Sequence, residues 1–245
     1  MQRKNMRNAI IICRKELLEI IRDKKLIIPF LLIPVGMPIM FSFVLSTGIR
    51  AGVNEPKFQQ FMINVYPMYL MILGIVAAAF SLGIAVESFV GEKERKTFEP
   101  LLATPISDIE LFIGKCLAAT VLPVIVAYIT ECLFIGITTF QFAQAGAQFT
   151  MQFGQILFII ILMPSLALLM CSFASIISAW ASSVKSASQL AAFIILPIIF
   201  FFQFYGASII RSHNIMALVA IGIIAIDVLT LYIGSRIFQR EKLIS

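Results

Sequence analysis

Residues able to do chemistry are sparse in this chain, and the one long stretch with the character of a soluble surface is VESFVGEKERKTFEPLLATPISDIELFIGK, residues 86–115. Glu92, Lys93, Glu94, Arg95 and Lys96 form a run of mixed charge, and Thr97, Phe98, Glu99, Leu101, Leu102 and Pro105 follow it. Such a run steers and docks partners; it holds no nucleophile beside a base. Outside it, Glu131 and Asp227 stand inside long apolar segments, where a carboxylate is costly and often functional. Either can line a translocation path or bind a cation, or pair with hydroxyls such as those of CSFASIISAWASS, residues 171–183. Cys13, Cys116, Cys132 and Cys171 show no C-x-x-C spacing, and with His213 as the single histidine no local zinc site can be assembled. There is no G-x-x-x-x-G-K-[ST], H-E-x-x-H or G-x-S-x-G. Chemistry on a bound substrate is poorly supported, and the chain reads as something other than an enzyme.

The elements that must position these groups are set by composition. Hydrophobic residues are 60% of the 245 and charged residues 13%, against roughly 45–50% and 25% in ordinary globular domains. Continuous apolar runs near 26–48, 65–90, 111–140, 155–180, 186–206 and 214–237 are long enough to cross a hydrocarbon core of about 30 Å, which takes about 20 helical residues. They do not alternate as barrel strands would. The expected fold is all-α and integral to the membrane, a single domain of six spans over 26–245 preceded by residues 1–25.

Orientation is expected from the basic residues, which cytoplasmic loops retain. Sixteen of the 19 Lys and Arg fall in residues 1–25, around the second-to-third connection, at Lys185 and after Ile233; Arg50, Lys57 and Arg211 fall on the other side. Both termini are thus expected in the cytoplasm, and the net charge of +6 belongs to this asymmetry rather than to nucleic-acid binding. Residues 1–25 lack the uninterrupted apolar run and small-residue cleavage site of a signal peptide. On a helical wheel Ala9, Ile10, Cys13, Leu17, Ile20 and Ile21 share one arc, with Lys15, Glu16, Glu19, Arg22 and Asp23 opposite and Ile12 interrupting the polar face. That predicts an interfacial amphipathic helix, which either only anchors the topology or also contacts a partner.

Within residues 91–110, Gly91 is expected to end the second span. Thr97 can cap a short helix with Pro100 in its first turn, Pro105 stops it, and Ser107 to Glu110 form a capping box before the apolar run from Leu111. A plain connection between two spans needs only a handful of polar residues. This one offers Phe98, Leu101 and Leu102 on a compact helix, as a docking element does.

Glu92, Lys93, Glu94, Arg95, Thr97, Glu99, Leu101, Leu102, Thr104, Pro105, Glu110, Leu111, Gly114 and Lys115 together resemble the segment between the second and third helices of type-2 ATP-binding-cassette (ABC) exporter permeases. Lys96 departs from the glycine frequent there. The resemblance extends, through six spans and a leading amphipathic helix, over nearly the whole chain. It implies a permease in the cell membrane that dimerises as homodimer or heterodimer and sits on two ATP-binding subunits, which hold the ATP and Mg; this chain would bind no cofactor itself. It further implies that the short helix is a coupling helix, with Glu92, Glu94, Arg95, Thr97, Phe98, Glu99, Leu101, Leu102 and Pro105 at the ATPase contact, and residues 1–25 a connecting helix beside it.

A non-transporting sensor or immunity component, or a sodium-extruding permease, would use the same coupling. The 22 Phe and 11 Met suit a hydrophobic peptide, lipid or drug, and lipid-facing Phe accounts for them equally well. In the fifth span, Lys185 to Pro197 is too short to cross the bilayer. The helix must either continue bent through Pro197 or end there, and the resemblance favours a segment that re-enters from outside, with Gln203, Tyr205 and Gly206 near the exit of the path for which Glu131 and Asp227 are also candidates.

Overall fold

A computed structural model describes residues 2–52, 56–95 and 107–237. It is built of helices: α1 (Gln2–Arg22), α2 (Lys24–Gly52), α3 (Pro56–Val86), α4 (Asp108–Gln144), α5 (Met163–Ile177), α6 (Val184–Arg211) and α7 (His213–Ile237). A π-turn, Glu87–Gly91, and a short helical turn, Glu92–Glu94, prolong α3; a five-residue helix, Phe153–Leu157, and a second π-turn, Phe158–Leu162, lead into α5. Among the described residues six helices are long and apolar enough to cross a membrane, and they correspond one to one with the six apolar runs.

These helices outlast the bilayer. At 1.5 Å per residue the 37 residues of α4 extend about 55 Å, so it projects beyond a core of about 30 Å. That is why α3 begins at Pro56 and α4 ends at Gln144, where the sequence suggested connections over 49–64 and 141–154.

α3 is the hub and packs against α2, α4, α5 and α6, while α7 lies on α5 and α6. The largest core cluster joins Met71, Ile75 and Leu82 of α3 to Phe112 of α4 and Leu166 and Met170 of α5. A second, nearer the 141–154 loop, joins Leu45, Tyr66, Leu70 and Phe134. Ser81 donates to the Ala167 carbonyl at 2.7 Å across α3 and α5, a bond made where water is scarce. At Gly206 a side chain would run into Met71 Sδ, so the glycine lets α6 close on α3. Outward faces are apolar: Leu32 and Phe43 of α2, Phe193 and Phe204 of α6, and Leu218 and Val228 of α7 are largely exposed. The chain is a multi-pass membrane protein.

Three local expectations are corrected. Gly91 does not end the second span, because the backbone continues helically through it to Glu94. The fifth span does not re-enter: α6 runs unbroken from Val184 to Arg211 through Pro197. Proline removes one helical hydrogen bond and crowds the carbonyl four residues back, a disturbance that membrane helices tolerate, and with 28 residues α6 reaches about 42 Å, so the span needs no second segment. The chain turns instead at Ser212, whose backbone is extended.

The third concerns α1. Its protein-facing stripe is Ala9, Ile12, Glu16 and Ile20, while Ile10, Ile11, Leu18 and Ile21 are exposed. Ile12, which interrupted the polar arc on the wheel, lies on the inner face because that face is selected by contact with α4 and α2.

Candidate functional site

Where α1 crosses α4, the pair Gly114–Lys115 occupies the contact. A side chain at 114 would lie 2.7 Å from Ile12 Cβ and 2.9 Å from the Ala9 carbonyl oxygen. Only glycine lets the helices approach this closely. Lys115, next along, is fully buried (0% exposed), and its ammonium must find acceptors or cost several kcal/mol.

It finds four. Nζ is 2.9 Å from Glu92 Oε2 and 3.4 Å from Glu16 Oε1, and it donates to the Ser88 carbonyl at 2.9 Å and the Ser88 hydroxyl at 3.0 Å. It also lies 5.8 Å from the centre of the Phe89 ring, within cation–π range. Ser88 sits in the π-turn at the end of α3, a wide turn of the kind often found at functional positions. Its hydroxyl donates to Glu16 Oε2 at 2.7 Å, so one serine bridges the cation and the carboxylate.

Lys15 completes the cluster from the rim, 3.4 Å from Glu16, 3.2 Å from Glu19 and 3.6 Å from Glu92. Burial works to raise the Glu16 carboxyl, but Lys115, the Ser88 hydroxyl and Lys15 outweigh it and hold it below its ordinary value. Burial likewise works to lower Lys15, and Glu16, Glu92 and Glu19 outweigh it, leaving the ammonium raised. Both groups are held in their charged forms.

Further ties radiate from this point. Arg95 pairs with Glu87, and Asn8 of α1 donates to Glu110 Oε1 at 3.3 Å. The capping box is formed: the Ser107 amide donates to Glu110 Oε2 at 2.8 Å and the Glu110 amide to the Ser107 hydroxyl at 3.3 Å. Glu94 accepts from the Val184 amide at 2.8 Å, placing a carboxylate at the positive end of α6. Four helices are thereby tied together on the two flanks of residues 96–106.

Of the proposed coupling residues, Glu92, Glu94 and Arg95 are described, and each engages this chain's own helices. Thr97, Phe98, Glu99, Leu101, Leu102 and Pro105 lie outside the described residues. Glu16, Ser88 and Asn8 were not singled out from the sequence. Glu16 carried a signal, since it sits four residues from both Ile12 and Ile20 on one helical stripe, and a carboxylate centred in a buried stripe calls for a cation.

The candidate path residues are dispersed. Glu131 of α4 and Asp227 of α7 are buried, with both Glu131 oxygens and Asp227 Oδ1 lacking a hydrogen-bond partner among the described residues. Gln203 is half-buried and Tyr205 exposed on α6. No hydrogen bond or ion pair among the described residues joins these four. At the end of α3 and α4 away from the charged cluster, an open cavity of about 450 Å³ lies among Phe58, Tyr66, Phe142, Gln148, Phe149 and Gln155.

Comparison with known proteins agrees with this architecture. Over 147 residues the chain is 31% identical to the "ABC transporter permease protein NatB" of Bacillus subtilis (strain 168), an alignment covering 57% of this chain and 37% of that relative. The chain thus spans well under half the length of the relative it matches. The family model described as ABC-2 family transporter protein matches residues 10–230, from the middle of α1 through the last span, and with that match the chain belongs to the ABC-2 family of transporter proteins.

Proposed function

We propose that this chain is the permease subunit of a type-2 ABC exporter, with residues 91–110 as its coupling segment. Two permease chains, identical or paired with a different one, enclose the path and rest on two ATP-binding subunits that hold ATP and Mg and carry out the hydrolysis. The termini and the Lys115 cluster face the cytoplasm, and the protein resides in the cell membrane. The observation that carries this reading is the position of the charged cluster. Residues 96–106 are bracketed by Arg95 and Ser107, and both flanks are tied through Lys115, Glu16, Glu92, Glu94 and Glu110 to α1, α3, α4 and α6. A push on that segment reaches four helices at once.

Phe98, Leu101 and Leu102 then seat in an apolar groove of the ATP-binding subunit, where central apolar anchors carry roughly 1–4 kcal/mol each. The double variant Leu101→Ala, Leu102→Ala loses co-purification of the ATP-binding subunit and substrate-stimulated hydrolysis while inserting normally; Arg95→Ala does less, as rim charges do. Retention of both properties by the double leucine variant refutes the coupling assignment.

A further inference from the structure

The cavity beside the 141–154 loop has a wall chemistry that selects a ligand. Its volume, about 450 Å³, falls within the range of small-molecule sites. Phe58, Phe142 and Phe149 form its sides and Tyr66 its floor, with Gln148, Thr150, Gln152 and Gln155 at its edge, and among the described residues that line it there is no Lys, Arg or His. Tyr66 stacks on Phe134 with ring centres 5.2 Å apart and meets Phe149 at 4.7 Å.

Beneath that floor lies Glu131. It precedes Phe134 by three residues on α4, about 4.5 Å along the helix and on the same face. Glu131 is 1% exposed, and neither its two oxygens nor the Tyr66 hydroxyl has a hydrogen-bond partner among the described residues. A buried carboxylate is stabilised by a counter-charge, and no Lys, Arg or His among the described residues pairs with this one. The cavity above it offers rings, which attract a cation through their faces, beside the neutral amides and hydroxyl of Gln148, Gln152, Gln155 and Thr150; it holds no carboxylate among its described lining residues of the kind a hard metal ion takes.

We propose that this cavity binds a lipophilic organic cation, its rings enclosing the charge and Glu131 neutralising it from below the Tyr66–Phe134 floor. As transported cargo this ligand rests on the permease reading; as a bound ligand it rests on the cavity alone.

The test is equilibrium binding of radiolabelled tetraphenylphosphonium to the purified full chain in lipid nanodiscs, without any ATP-binding subunit. Wild type binds saturably and sodium chloride does not compete beyond its screening of charge. Glu131→Gln and Phe149→Ala each weaken binding roughly tenfold or more. Triphenylphosphine oxide, a neutral aromatic of similar shape, binds no worse to Glu131→Gln than to wild type. Absence of saturable binding, wild-type affinity in Glu131→Gln, or displacement by sodium with no effect of Phe149→Ala overturns the proposal, the last in favour of an inorganic cation. Thermal unfolding checks that the variants fold. If Glu131→Gln does not fold, Phe149→Ala on the cavity wall decides, and unchanged binding there overturns the proposal. Failure here leaves ATPase co-purification by the Leu101 and Leu102 variants as an independent measure of coupling.

Discussion

Replacing Lys115 by methionine tests the cluster at its centre. Methionine fills similar space without charge, so Glu16 and Glu92 are left facing each other and the Ser88 carbonyl loses its donor. Removing one partner of a buried ion pair costs about 3–5 kcal/mol. Lys15 stays within 3.4 Å of Glu16 and 3.6 Å of Glu92 and sits partly in solvent, so it recovers some of the loss and places the effect near the low end, about 3 kcal/mol. At about 1.4 kcal/mol per factor of ten, the fraction of molecules with α1 undocked rises roughly 100-fold. Limited trypsin digestion reads this directly, because cleavage after Arg14 and Lys15 requires α1 to detach and open, and its rate follows the open population when reclosing is fast. The triple variant Lys115→Met, Glu16→Gln, Glu92→Gln removes the stranded charges and regains most of the protection; Lys115→Arg keeps the charge and falls between. Equal cleavage of Lys115→Met and wild type, or no recovery in the triple variant, refutes the idea that α1 is held by this cation.

At the neighbouring position, Gly114→Ala drives a methyl into Ile12 and the Ala9 carbonyl; overpacking of this kind costs about 1–3 kcal/mol, and tryptic cleavage of α1 quickens accordingly. Adding Ile12→Ala removes Cγ2 but leaves the Ile12 Cβ and the Ala9 carbonyl in the way, so it restores little of the protection. Glu16 predicts an acid limit: its folded carboxyl titrates below the ordinary 4.5, so its contribution is complete above that value and is lost as pH falls through the lowered one. With Lys15, Lys115, Glu19, Glu92 and Ser88 around it, α1 of the wild type becomes more susceptible to pepsin below about pH 4, while Glu16→Gln removes the Glu16 part of that dependence. For topology, single cysteines placed at Asn54 and Gln148 react with a membrane-impermeant maleimide on intact cells and one at Lys96 does not; labelling at Lys96 reverses the orientation.

The spans were legible because burial in lipid needs only length and apolarity, and both are explicit in runs such as 111–140. The capping box at Ser107 and Glu110 was legible because it is a local pattern four residues long. Pro197 and Gly91 misled, since both are stop signals in water, where a broken helix can bond to solvent. Within a membrane protein the backbone stays helical to keep its bonds, and glycine serves close packing instead. The inner face of α1 was hidden for a different reason. Amphipathicity sorts residues by polarity, whereas α1 is positioned by Ile12 against Gly114 and Glu16 against Lys115, pairings 99 to 102 residues apart that no wheel can display.

Between the aromatic cavity and the charged cluster runs one piece of backbone, α3 with its π-turn and terminal turn, from Pro56 to Glu94. At 1.5 Å per residue it is about 58 Å long, and it is the helix against which four of the other five spans pack. Pivoted as a rod near either end, a tilt of about 5° sweeps the opposite end through about 5 Å, close to one helical turn. A small displacement beside Lys115 is therefore geometrically sufficient to shift Tyr66 by about 3–4 Å against Phe134 and Phe149, which turns the hub of the bundle into a lever whose long arm ends at the aromatic cavity.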